Sequence, residues 1–247
     1  KANVIPAFQA WATAYEEEYK PNCRDVVGAS SMPEGADYYA HRIRAETTTD
    51  MTAEQIHRIG LSEVARIRSE MEEVIKGANF DGDFKAYQDY LRTNPALYAK
   101  TPEALMERSA YISKKIDGEL PKLFTRMPTM PYTVKPVPEE IAEGTTTAYY
   151  EAPAGDGTRA GVYRVNTSKL DQRPLFEMEA LTLHEAVPGH HFQIALQQEL
   201  DLPNFRRFGG ITAFVEGWAL YAERLGLEVG FYQTPETDFG RLSYEMW

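Results

Sequence analysis

Residues 183–191 read LHEAVPGHH, and this stretch holds three of the chain's five histidines. In zinc peptidases an H-E-x-x-H helix places two histidines at positions i and i+4, about 40° apart around the helix axis, so that both imidazoles reach one metal ion. The glutamate beside the first histidine accepts a proton from water activated by the metal. Here the second histidine comes two residues later than in that motif. The stretch therefore predicts a metal site only if the helix is irregular.

The segment between the histidines supplies that irregularity. In an ideal helix His190 would point about 120° away from His184, whereas His191 would share its face but lie about 10 Å further along the axis. Pro188 lacks an amide hydrogen and clashes with the preceding turn, and Gly189 tolerates unusual backbone dihedrals. We therefore predict a bulge or kink that returns His190 to the metal-binding face, with His191 as the alternative ligand.

A third ligand is expected from residues 211–223, ITAFVEGWALYAE, an apolar helical segment that carries Glu216 and Glu223. An ionised glutamate in such a segment is costly unless it is paired, and zinc is a strong partner. Glu216 follows the histidines at about the distance of a helical hairpin, and Gly217 beside it would permit close helix packing. Two histidines and a glutamate leave a fourth position for water, which is the catalytic arrangement, and Glu185 would act as the general base.

Each of these residues also has a structural interpretation. A histidine on an apolar helix is more often a hydrogen-bonded core residue than a ligand. Glu216 could pair with Arg206, Arg207 or Arg224 instead of a metal. Glu223 is either a group that supports a ligand or one half of a surface ion pair.

Peptide hydrolysis also needs a hydrogen-bond donor that stabilises the oxyanion. Among the chain's tyrosines we single out Tyr244 and Tyr163 for this role. Packing in the core or at the surface is the alternative for each of them.

Composition excludes several classes of function. The 247 residues carry a net charge of −11, which argues against nucleic acid as a partner because phosphate binding needs clustered Lys and Arg. Cys23 is the only cysteine, so an internal disulfide and a thiolate zinc site are impossible. No apolar run is long enough for an integral membrane segment.

The remaining pattern is mainly helical. Thr52 with Gln55 predicts one helix start, and Thr101 with Pro102 predicts another. The segments 148–152 and 161–166 flank a glycine-rich turn and predict a small β-hairpin. We predict an N-terminal helical subdomain at 1–126, a proline-rich connection at 127–146 and a catalytic subdomain at 147–247 that ends within a helical pattern and is expected to be truncated.

At the strings HEAVPGHHFQ (184–193) and FVEGWALYAE (214–223), the sequence resembles the bacterial domain-of-unknown-function 885 family, which is grouped with gluzincin-type metallopeptidases. Further similarity lies in TTTDMT (47–52), QIHRIGLSEVARI (55–67) and VNTS (165–168). The resemblance implies a helical scaffold similar to those of oligopeptidases and carboxypeptidases. It assigns the metal to His184, His190 and Glu216 and the base to Glu185.

We predict a zinc-dependent hydrolase, a metallopeptidase that cleaves peptide bonds through a zinc-activated water and takes a peptide or small amide as substrate. The alternatives are a zinc hydrolase of another amide or ester, and a catalytically silent helical binding module. Family members are usually longer than this chain and many are exported or lipid-anchored, which implies an internal fragment of such a protein. The lone cysteine also fits the cytosol, and the sequence leaves the oligomeric state open.

Overall fold

A computed structural model describes residues 1–247, and the chain is mainly helical as predicted. The α-helices are α1 Val4–Ala14, α2 Gly35–Thr47, α3 Ala53–Gly77, α4 Phe84–Thr93, α5 Pro102–Asp117, α6 Leu120–Leu123, α7 Glu139–Ala142, α8 Met178–Glu185, α9 His190–Glu199, α10 Asn204–Arg207, α11 Thr212–Leu225 and α12 Pro235–Met246. A π-helical turn at Tyr15–Tyr19 extends α1. No helix combines the length and hydrophobicity that crossing a lipid bilayer would require.

Both predicted helix starts are confirmed. Helix α3 begins directly after Thr52 and ends at Gly77. Helix α5 begins at Pro102, and the Thr101 hydroxyl accepts a hydrogen bond of 3.1 Å from the amide of Ala104. A side-chain oxygen at this position satisfies an amide that has no partner within the helix, which fixes where the helix begins.

Helix α3 buries only the second half of its apolar face. Ile67, Met71 and Ile75 pack into a cluster with residues of α4 and α12, whereas Ile59 and Val64 are about half exposed. Only the part of the helix that meets neighbouring helices is therefore buried.

A three-stranded sheet has the order β1-β3-β2, with strands β1 Tyr132–Pro136, β2 Ala148–Glu151 and β3 Gly161–Val165. Strands β2 and β3 are antiparallel, which confirms the predicted hairpin. Strand β1 pairs with β3 in parallel, and it lies within the segment predicted to be a proline-rich connection.

The chain divides into two compact units. The first comprises residues 1–45 and 49–53, and the second comprises residues 46–48 and 54–247. The proposed site lies wholly in the second unit. The predicted connection at 127–146 lies inside that unit, where it contains β1 and α7, and the predicted subdomain boundaries stay a prediction.

Helix α8 occupies the centre of the main hydrophobic core. Ala180 and Leu183 are fully buried, and their neighbours in the core come from α5, β3 and the turn after α11. Every residue of α8 except His184 is buried, and a helix this short is stabilised mainly by the packing around it. The core therefore fixes the carboxyl end of α8, where His184 and Glu185 lie.

Candidate metal centre

The helix does not run through the His-Glu motif but breaks after it. Helix α8 ends at Glu185 and α9 begins at His190, and the Val187–Pro188 peptide bond between them is cis. The indole nitrogen of Trp218, on α11, donates a hydrogen bond of 2.8 Å to the carbonyl of Pro188. The predicted kink at this segment is thus a complete interruption, held from one side by α11.

Gly189 makes the tight reversal possible. A Cβ atom at this position would overlap the carbonyl oxygens of His184 and Leu183. Because the backbone passes this close to the end of α8, only a residue without a side chain fits there. The glycine therefore sets the position of His190 relative to His184.

The break brings His190 beside His184, and the two imidazole rings lie edge to face with centroids 4.6 Å apart. Oε2 of Glu216 lies 3.5 Å from Nε2 of His184 and 3.6 Å from Nε2 of His190. One ligand atom from each of the three residues lies within 4.8 Å of the other two. The structure therefore brings together the three side chains that were predicted as metal ligands.

Glu223 supports His184 from the opposite side. Its carboxylate is buried, and it lies 2.7 Å from Nδ1 of His184, which donates a hydrogen bond to it. A carboxylate behind a metal-binding histidine fixes the tautomer and directs the other ring nitrogen outward. Of the two interpretations left open for Glu223, the geometry fits the supporting one.

His191 points away from this group. Its Nε2 donates a hydrogen bond of 3.0 Å to the carbonyl of Met130, and its Nδ1 accepts one of 2.8 Å from the hydroxyl of Tyr150. Burial lowers the pKa of His191 to about 4, so the ring is neutral and each nitrogen has a protein partner. No lone pair is left for a metal, and the structure places His191 in the packing between α9 and the sheet.

Burial also sets the charge states at the centre. It lowers the pKa of His190 to about 4, and neighbouring His184 adds to this effect, so His190 offers a neutral imidazole at neutral pH. Burial opposes the charged form of His184, but the hydrogen bond to Glu223 and the nearby carboxylates outweigh it and raise its pKa. Metal binding needs deprotonated nitrogen, which the free Nε2 of His184 provides in the neutral form.

Glu185 is buried beside the histidines. Burial raises the pKa of its carboxyl to about 7, against an opposing effect of His184. Proton transfer at neutral pH is most efficient for a group whose pKa lies near that pH. Glu185 therefore has the character of an acid–base group.

A cavity of about 690 Å³ has His184, Glu185 and Glu216 in its wall. Tyr244, on α12, also lines it, and burial raises the pKa of its hydroxyl well above the ordinary value. Tyr163 does not line it. The Tyr163 side chain is fully buried in the core, with its hydroxyl 3.3 Å from that of Thr182, so it is in no position to meet a substrate in the cavity.

The donor set fits a zinc ion. Tetrahedral zinc with bonds of about 2.0–2.1 Å separates its ligand atoms by about 3.3–3.4 Å. The two distances between Glu216 and the histidines, 3.5 and 3.6 Å, are close to that separation. Two imidazole nitrogens and one carboxylate oxygen are also a ligand set found in catalytic zinc sites.

Residues 1–247 match a family described as bacterial protein of unknown function (DUF885). Among solved structures, the fold is similar to one titled "The crystal structure of the putative lipoprotein from Colwellia psychrerythraea", with a TM-score of 0.90 and 34% sequence identity. The similarity covers 99% of this chain and 43% of the other, so this chain spans less than half the length of that protein. No curated protein matches the sequence.

Proposed function

This chain belongs to the bacterial DUF885 family, and we propose that it carries the active centre of a zinc-dependent hydrolase, a metallopeptidase of the gluzincin type. One observation carries the proposal. Two imidazole nitrogens and a carboxylate oxygen converge within 4.8 Å of one another, beside a buried glutamate. In this proposal His184, His190 and Glu216 hold the ion.

When bound, zinc supplies a Lewis acid that polarises a substrate carbonyl and activates water. Glu223 keeps His184 in the tautomer that leaves Nε2 free, since its carboxylate lies 2.7 Å from Nδ1. The half-exposed side chain of Glu216 leaves one side of the group open to the cavity.

Glu185 is proposed to move the proton. Its carboxyl, with a pKa of about 7, accepts a proton from the attacking water and then passes it to the leaving amine. Burial within the cavity wall strengthens this exchange, because the charged and neutral forms of Glu185 are close in free energy at neutral pH.

Tyr244 is proposed to stabilise the oxyanion. Its raised pKa keeps the hydroxyl protonated at neutral pH, so the hydroxyl can donate a hydrogen bond to the developing charge. Tyr163 cannot stabilise the oxyanion in this way, because its hydroxyl lies in the core.

Peptide or small amide substrates fit a cavity of about 690 Å³, which is within the range of small-molecule sites. We also propose that the protein is exported or lipid-anchored, since the similar structure from Colwellia psychrerythraea is that of a protein described as a "putative lipoprotein".

The experiment is metal analysis combined with peptide turnover. The chain prepared without chelator is expected to hold about one zinc ion and to cleave short peptides. Glu185→Gln is expected to lower turnover by about 100-fold or more while zinc is retained, because only the proton carrier is lost. Glu228→Gln, an exposed position outside the cavity, serves as the matched control. Absence of zinc, or full turnover by Glu185→Gln, would overturn the proposal.

A further inference from the structure

Arg173 forms no ion pair with any acidic side chain of the chain. It lines the same cavity as His184 and Glu185, yet no carboxylate lies within 4.0 Å of its guanidinium. Its Nη1 makes only long hydrogen bonds, 3.4 Å to the Thr147 hydroxyl and 3.3 Å to the carbonyl of Gln172. Its Nε is buried and has no hydrogen-bond partner.

Arg173 is the only arginine in the chain whose Nε–H is buried without a hydrogen-bond partner. Arg164 shows the satisfied arrangement: its Nε donates to Oε1 of Glu151 at 2.9 Å and its Nη2 donates to Oε2 at 3.4 Å. A guanidinium presents parallel donors that match the two oxygens of a carboxylate. A buried donor with no partner loses its hydration without replacement, which favours a ligand that restores the hydrogen bond.

The other charged groups of the cavity do not fill this role. Five glutamates line it, at positions 143, 177, 185, 216 and 223, and none forms an ion pair with Arg173. Lys169 is the second cation of the cavity, but it is exposed and its Nζ donates to the carbonyl of Glu143. With a net charge of −11, the chain as a whole repels anions, so any anion selectivity in the cavity must come from local groups.

We infer that Arg173 binds the free C-terminal carboxylate of the substrate, so that the proposed hydrolase removes residues from the carboxyl end of short peptides. This inference rests on the proposed function. A cavity of about 690 Å³ has room for a ligand of small-molecule size, which limits the substrate to a few residues between Arg173 and Glu185. In the reaction, water adds across the terminal C–N bond, the leaving amine takes a proton, and the carboxylate held by Arg173 is unchanged.

The test compares the affinities of trialanine and of trialanine amide, which differ only in the terminal carboxylate. Binding is measured by calorimetry on zinc-loaded protein carrying Glu185→Gln, which prevents cleavage. We expect the free acid to bind at least about tenfold more tightly than the amide, as a charge-assisted hydrogen-bond pair provides. Arg173→Met should bring this ratio to about one. Arg173→Lys, which keeps the charge but loses the parallel donors, should leave an intermediate ratio.

Lys169→Met is the matched control, because it removes the other cation of the same cavity and should keep the ratio. Melting temperatures of all variants establish that they are folded, and the Lys variant provides the test if the Met variant is not. Equal affinity for acid and amide, no measurable binding of the acid, or a ratio that survives Arg173→Met would overturn the inference. A ratio that depends on Arg173 in a chain without zinc or turnover would leave the carboxylate site standing and refute the proposed function.

Discussion

Nδ1 of His184 lies 2.7 Å from the carboxylate of Glu223, while Nε2 of the same ring lies 3.5 Å from the carboxylate of Glu216. Both acids belong to α11 and are seven residues apart, which places them within about 20° of each other around the helix axis. One face of α11 thus meets both nitrogens of one imidazole. The buried Glu223 orients the His184 ring, and the half-exposed Glu216 lies beside both histidines and faces the cavity.

Replacing Glu223 by glutamine should weaken zinc binding without removing a ligand. The neutral amide holds the His184 ring less firmly and makes its Nε2 a weaker metal ligand. Loss of such a supporting group typically lowers metal affinity about 10- to 100-fold. Competition with a chromophoric chelator measures the change. Glu228→Gln should leave the affinity at the parent value, and unchanged affinity in Glu223→Gln would contradict the role given to Glu223.

The adjacent histidines should respond in opposite ways to substitution by alanine. His190→Ala removes a proposed ligand and should abolish stoichiometric zinc binding. His191→Ala should retain zinc but lower the free energy of unfolding by about 2–4 kcal/mol, because it opens a cavity and leaves Tyr150 and Met130 without their hydrogen-bond partner. Metal content and urea denaturation distinguish the two. Loss of zinc in His191→Ala at full stability would reverse the assignment.

Two glycines near the centre should also differ. Gly189→Ala introduces a Cβ that overlaps the His184 carbonyl, so it should lower the free energy of unfolding by about 1–3 kcal/mol and displace His190 from His184, which weakens zinc binding. Gly217 lies inside α11, and a Cβ added there would contact no neighbouring element within 4 Å. Gly217→Ala should therefore raise the free energy of unfolding by about 0.5–1 kcal/mol. Denaturation of both variants gives the comparison. A tolerated alanine at position 189 would show that the chain reversal is adaptable.

Glu177 should make stability depend on pH. Burial raises the pKa of its carboxyl from 4.5 to about 7 in the folded chain, so folding favours the protonated form. The parent should therefore lose stability relative to Glu177→Gln as the pH rises from about 4.5 to about 7, with no difference below that window and the largest difference above it. Unfolding free energies measured from pH 4 to 8 in the presence of chelator check this. Parallel profiles for the two proteins would contradict it.

Local signals in the sequence were sufficient for the helices with clear start residues and for the hairpin. Thr101 and Pro102 mark the start of α5, and the turn between β2 and β3 joins strands that are close in sequence. Strand β1 escaped prediction because it pairs in parallel with β3, almost thirty residues later, and prolines flank and end it. Parallel pairing depends on distant residues, and no local pattern reports it.

For the candidate site, residue types and spacing indicated His184, His190 and Glu216, but not how the chain would bring them together. The predicted role of Gly217 in close helix packing was wrong, since no atom of a neighbouring element lies within 4 Å of the position that its Cβ would take. Nothing in the sequence around Tyr163 indicated that its side chain lies in the core and not in the cavity. Arg173 was missed because an unpaired cation is defined by the absence of neighbours, which only the fold reveals.

The consecutive residues His190 and His191 begin one helix and point to different places, the first towards His184 and the second towards the sheet, where it is bonded to Tyr150 of β2 and to the residue before Pro131. A rotation of α9 that moved the imidazole of His190 would also break the hydrogen bonds of His191. The sheet edge and the candidate metal centre are therefore coupled through a single peptide unit, so the orientation of His190 depends on the hairpin to which His191 is hydrogen-bonded.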